Sequence, residues 1–185
     1  MNSRELLHRI RRVRLVIFDV DGVLTDGGIY LDAAGGEVKR FDVHDGTGIK
    51  YLQRAGIGTA ILSGRRAGAV TRRARELGLS RVLQGYKVKL DGLRRLLRET
   101  GLPPDALCFV GDDLIDIPVM RAVGLAVAVP NARPEVRRAA HWVTRASGGR
   151  GAAREVAERI LRAQGRWAPI IARYGLTPGG PSEAS

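Results

Sequence analysis

The chain has a single cysteine, Cys108, so no disulfide can form within it, and that suits a reducing cytoplasm. It has no apolar run near the roughly 20 residues that cross a bilayer. Met1 to Arg14 is arginine-bearing and lacks an apolar stretch of signal-peptide length. The expectation is a soluble, cytoplasmic protein without a membrane partner. Aromatic residues make up 5% of the chain, which leaves little to stack on bases. Lysine is scarce too, occurring only at Lys39, Lys50, Lys87 and Lys89. The remaining basic residues are arginines scattered along the chain rather than gathered in one stripe, so no nucleic-acid partner is expected. There are no internal repeats.

What is present is a chain of 185 residues, 44% apolar, with a formal charge of +12. That length and composition suit one domain with a substantial core, and the positive charge would steer a phosphorylated, anionic substrate inward. Ser3 to Arg12 carries Leu6, Leu7 and Ile10 at helical spacing. Leu15-Val16-Ile17-Phe18 is a continuous apolar run, as in a strand buried on both faces. Gly28–Leu31 and Val38–Asp42 read as strands around the turn Asp32–Gly36. Helices are then expected from about residues 47, 67, 88, 118, 134 and 152. Strands are expected at 59–62, 81–83, 107–110 and 125–129. This alternation predicts an α/β fold with a parallel sheet covered on both faces. Residues 1–166 form one domain in this reading, with a β-hairpin insert at about 27–42. Residues 167–185 form a flexible tail, its end rich in Gly, Pro and Ser.

In a parallel sheet all strands end on one edge, so residues that follow different strands meet in space. Asp19-Val20-Asp21-Gly22 follows the first strand, Ser63-Gly64-Arg65 the second and Gly111-Asp112-Asp113 the fourth. Lys89 begins the helix after the third. Clustered carboxylates repel, and a divalent cation relieves them. Oxygen ligands with no His or Cys partner favour magnesium over zinc as that cation. Asp19 is then placed to attack phosphorus, Ser63 to donate to phosphate oxygens and Lys89 to neutralise charge. Asp21 is placed to protonate the leaving group and then to activate water.

Asp19-Val20-Asp21-Gly22-Val23-Leu24-Thr25-Asp26, Leu62-Ser63-Gly64-Arg65, Lys89 and Gly111-Asp112-Asp113-Leu114-Ile115-Asp116 resemble the four signature motifs of the haloacid dehalogenase superfamily of phosphohydrolases. Phe41–Ile49, Gln84-Gly85 and Gly148–Glu155 extend the resemblance to its capless branch, typified by sugar-acid phosphatases. It spans about Val13 to Gln164. The resemblance implies a Rossmann-like, three-layer α/β sandwich with the hairpin in place of a cap domain. It implies Asp19 as nucleophile and Mg²⁺ ligand, Asp21 as acid/base and ligand through its backbone carbonyl, and Asp112 as third ligand. Gly64, Asp113 and Asp116 would support these groups. Substrate contacts would come from Asp21, Asp42, Val43, His44, Asp45, Gly46, Lys50, Arg65, Arg73 and Lys89. His44 stands where the family commonly has arginine or lysine.

The family also joins four hairpins into a barrel, which implies a homotetramer, and lets a C-terminal tail reach a neighbouring site. Gly148-Gly149-Arg150-Gly151 reads either as an anion-binding loop at a helix N-terminus or as a place where Arg150 meets a structural carboxylate. The leading function is Mg²⁺-dependent hydrolysis of 3-deoxy-D-manno-octulosonate 8-phosphate through an aspartyl-phosphate, on the route to lipopolysaccharide. A nine-carbon sialic-type sugar-acid phosphate or an aryl phosphate is the alternative substrate. A non-catalytic assembly or binding subunit is the alternative of another class.

Overall fold

The computed structural model describes residues 2–33 and 36–177. Ala34 and Gly35 of the expected hairpin turn, and the Gly/Pro/Ser-rich end from residue 178, lie outside the described residues. After helix α1 (Ser3–Arg12) comes β1 (Leu15–Phe18), every residue of which is buried, as its unbroken apolar run requires. The hairpin strands β2 (Tyr30–Leu31) and β3 (Glu37–Val38) follow, and then α2 (Val43–Arg54). The chain next alternates through β4 (Gly58–Ser63), α3 (Gly68–Leu77), β5 (Arg81–Gln84), α4 (Lys89–Thr100) and β6 (Leu107–Gly111). It continues with α5 (Ile117–Ala122), β7 (Leu125–Ala128), α6 (Pro134–Ala139), β8 (Trp142–Val143), α7 (Ala152–Ala163) and α8 (Ala168–Ala172).

Six strands form one parallel sheet in the order β5-β4-β1-β6-β7-β8, and β2-β3 form a separate antiparallel pair. This is the three-layer α/β architecture expected from the alternation. From β1 the chain runs outward through β4 and β5, then returns to the other side of β1 through β6, β7 and β8. The order therefore reverses at β1, and the crevice beyond its C-terminal end is where such sheets bind ligands. Phe18 pairs in register with Ile61 on one side and Val110 on the other. Asp19 accordingly emerges between the ends of β4 and β6.

α1 and α2 both pack on α7, and Gly48 of α2 lies against α7. A Cβ there would lie 2.7 Å from the Arg154 Cα, which explains a glycine inside a helix. α4 and α5 pack against each other elsewhere on the sheet.

Three local expectations are corrected. α2 begins at Val43 rather than at 47, because the Asp42 side chain accepts the His44 N–H at 2.7 Å and caps it. The preceding strand therefore stops at Val38 instead of reaching Asp42. The short edge strand β8 was not anticipated. Beyond residue 166 the chain is not wholly a tail: α8 starts with proline in its first turn and buries Ile170. Its flanks dock on α2 of the same chain, where the Trp167 ring meets Tyr51 edge-on at 5.8 Å and the Tyr51 and Tyr174 hydroxyls lie 3.2 Å apart.

Candidate active site

The expected residues do converge at the end of β1. A cleft of about 440 Å³ is lined by Asp19, Asp21, Ser63, Arg65, Lys89 and Asp112, with Gly64 and Asp113 also at its wall. Asp19 follows β1 directly, and its N–H is fixed by the Val110 carbonyl at 3.0 Å. Gly22, the residue after Asp21, adopts φ +87°, and any Cβ there would collide with the Asp112 carboxylate. The glycine thus lets the β1 loop and the β6 loop close on each other.

Lys89, the first residue of α4, is a fully buried ammonium. It lies 2.8 Å from Asp19 Oδ1 and 2.6 Å from Asp116 Oδ1. Burial works against its charge, and the two carboxylates overcome this and hold its pKa above the ordinary lysine value. Asp116 Oδ2 accepts the N–H groups of Asp112 and Asp113 at 3.0 and 3.1 Å. Both oxygens of Asp116 are therefore engaged, and its task is to seat Lys89 and shape the β6 loop. Gly111 allows this, since a Cβ there would come within 2.8 Å of the Asp116 Cγ.

Lys89 is thus one cation shared between two carboxylates, and Asp112 has no cation bonded to it among the described residues. Among the described residues, Asp19, Asp112 and Asp116 offer oxygens within 4.8 Å of one another. Asp112 Oδ1 is buried with no hydrogen-bond partner. Burial pushes Asp19 up to about 7; the pull of Lys89 opposes this and the charge of Asp116 adds to it. Burial, then the charges of Asp19 and Asp116, pushes Asp112 up to about 8. An all-oxygen set with an orphaned anionic atom fits a hard divalent cation. Of the three carboxylates, Asp116 is the one already satisfied by hydrogen bonds, which leaves Asp19 and Asp112 as the two that could hold such a cation.

The other expected contacts divide. Ser63 closes β4 and is buried, its Oγ accepting the Arg65 N–H at 3.2 Å. Val43 and Arg73 line a second groove of about 470 Å³ between β3 and α3. Asp42 caps α2, and the His44 ring is 78% exposed beside it, 3.3 Å from its carboxylate. Asp45 is corrected: it is buried, and its carboxylate accepts the N–H groups of Arg154 and Gly151 at 3.0 and 3.3 Å. It occupies the N-terminus of α7 that the sequence offered to an outside anion, and Arg150 stays exposed. Gly46 is buried against Arg73 and Leu77, and Lys50 reaches the C-cap glycine of α3, Gly78. Neither lines the cleft.

Two residues escaped the sequence reading. Asn131 donates to the Gly22 carbonyl at 2.9 Å and accepts from Gly148 N–H at 2.8 Å, so it ties the β1 loop to the Gly148-Gly149 turn. No local motif marks it. Lys39, just past β3, has a wholly buried side chain bonded to the Asp21 carboxylate. Its rarity as a lysine in an arginine-rich chain was the available signal.

Comparison with known proteins agrees with this geometry. Residues 82–155 match the family model described as haloacid dehalogenase-like hydrolase. The chain is 47% identical over 160 residues to 3-deoxy-D-manno-octulosonate 8-phosphate phosphatase KdsC of Yersinia pestis, with 86% of each chain covered. It superposes on a probable YrbI family phosphatase from Pseudomonas syringae with TM-score 0.91 and 47% identity, covering 95% of this chain and 100% of that one. The Moraxella catarrhalis 3-deoxy-D-manno-octulosonate 8-phosphate phosphatase, solved with magnesium, phosphate and KDO, gives TM-score 0.91 at 38% identity, covering 94% and 99%.

Proposed function

Because the chain belongs to the haloacid dehalogenase-like hydrolases and is a phosphoric monoester hydrolase, we propose that it cleaves 3-deoxy-D-manno-octulosonate 8-phosphate, on the route to lipopolysaccharide. The observation that carries the reaction is the pairing of Asp19 with the buried Lys89 at the sheet's switch point, beside the orphaned Asp112 oxygen.

Asp19 attacks phosphorus with a carboxylate oxygen as the P–O bond to the sugar breaks, and the departing alkoxide takes a proton from Asp21. Water then attacks the aspartyl-phosphate, giving its proton to Asp21 and releasing phosphate and free Asp19. Lys89 favours ionised Asp19 and offsets charge on the phosphoryl group. Ser63 donates to a phosphoryl oxygen. Asp19, Asp112 and the Asp21 backbone carbonyl would hold Mg²⁺, which would supply the positive charge that keeps both carboxylates ionised and attracts the phosphate.

Arg65, which also meets Glu37, and Lys87 put cations on the cleft wall beside the sugar acid. Val43 and Arg73 lie in the adjoining groove, which a second copy could complete. Ile29, Tyr30, Leu31 and Val38 expose apolar side chains on and beside the hairpin, and this supports a homotetramer joined there. A single monomer mass by light scattering at micromolar concentration would refute that assembly. Phosphate release under magnesium tests the substrate. The reading expects the eight-carbon sugar-acid phosphate to surpass a nine-carbon sialic-type acid phosphate and an aryl phosphate in kcat/KM, and a reversed order would reject it.

A further inference from the structure

The β2-β3 hairpin has strands of two residues each, and its apolar side chains face outward; Leu31 is 71% exposed. A ribbon so short has little stability of its own, so its position must come from particular contacts. Along a strand, alternate residues share a face. Val38 points to solvent, whereas Glu37 and Lys39 turn inward. The Lys39 ammonium, with no exposed side-chain surface, binds the Asp21 carboxylate and lies 2.7 Å from Glu37 Oε1. Glu37 Oε2 in turn meets the Arg65 guanidinium at 2.9 Å. The chain of charges Asp21–Lys39–Glu37–Arg65 thus crosses from the β1 loop to the β4 loop. Among the described residues, Lys39 is the one side chain bonded to Asp21.

A buried ion pair is weak support for stability, because apolar residues of the same volume often serve as well or better. What such a pair fixes is geometry. A general acid must sit within hydrogen-bond reach of the leaving oxygen. We infer that Lys39 is a positioning residue that holds the Asp21 carboxyl group toward the leaving-group oxygen, so that the hairpin is part of the catalytic apparatus. This rests on the reading of Asp21 as acid/base given above.

The test exploits the leaving group. An alkoxide from a sugar phosphate needs a proton as it departs, whereas 4-nitrophenolate leaves without one. Lys39→Met is expected to lower kcat/KM, which reports the step in which the leaving group departs and not the shared hydrolysis of the aspartyl-phosphate, about a hundredfold on the sugar-acid phosphate, within the range that general acid catalysis supplies, and by no more than about threefold on 4-nitrophenyl phosphate. Lys39→Arg should recover most of the lost rate. Equal losses on both substrates with an unchanged melting curve, or no loss on either, would overturn the inference. Should Lys39→Met unfold, the same ratio is read on Lys39→Gln, which keeps polarity but not charge. Asp21→Asn run in parallel separates the two claims. If it shows no leaving-group dependence, the role of Asp21 itself fails. If it shows the dependence and Lys39→Met does not, only the positioning role fails.

Discussion

Metal-free protein should lose stability as pH rises, and magnesium should restore it. Asp19 is displaced from 3.8 to about 7 and Asp112 from 3.8 to about 8, both first by burial. A carboxyl whose folded pKa lies above its unfolded value binds a proton on folding. The associated stability is complete below the unfolded pKa, near 4, and is lost as pH climbs through the folded value. For Asp19 alone the displacement corresponds to roughly 4 kcal/mol. Asp112 shares the same field of charge, so the two titrate as a pair and their costs overlap. Between pH 5.5 and 9 about 2 kcal/mol of the Asp19 cost and about 3 kcal/mol of the overlapping Asp112 cost are incurred, so at about 2–4 °C per kcal/mol the melting temperature in EDTA should fall by roughly 5–10 °C. Magnesium compensates the ionised pair, so it should raise the melting temperature far more at pH 9 than at pH 5.5, and its binding near pH 7 should release protons. Thermal melts by circular dichroism over that range, with and without the ion, provide the measurement. A metal-free melting temperature that stays level or rises with pH, together with an equal magnesium effect at both ends, would refute this account of the carboxylates.

Gly148→Ala should destabilise by about 3 kcal/mol or more and depress kcat, because its Cβ would run into the Gly22 carbonyl of the β1 loop, backbone against backbone; a chemical denaturation midpoint like that of wild type would contradict this. Trp167→Ala removes a ring that meets Tyr51 edge-on and underlies the Arg162 guanidinium at 4.6 Å, so it should cost about 2 kcal/mol and leave kcat unchanged. Denaturation and phosphate-release assays together check that separation. Asp19→Asn keeps the shape of the side chain without its charge, and phosphate release should drop at least a thousandfold, or about 4 kcal/mol in barrier.

The alternation of apolar runs and helical periods announced the parallel sheet, because strands buried on both faces leave an unmistakable pattern at β1 and β6. The same topology brought Asp19, Asp21, Ser63, Lys89 and Asp112 to one edge, so the centre of the site was legible. Its periphery was less so. Asp45 reads as a polar residue beside the site, and only the packing of α2 on α7 shows that its carboxylate caps another helix. Lys39 and Asn131 work through contacts with residues 18 and 109 positions away, which no local pattern encodes. α8 was missed because it is too short to show a helical period, although its proline marks the start.

Covalent capture tests the central claim most directly. Acid quenching during turnover of the sugar-acid phosphate, followed by borohydride reduction, converts a phosphorylated aspartate to homoserine, which peptide mass spectrometry locates. The account predicts homoserine at position 19. Its appearance at position 21 or 112, or at no position while phosphate is still being released, would contradict the assignment of Asp19 as the nucleophile.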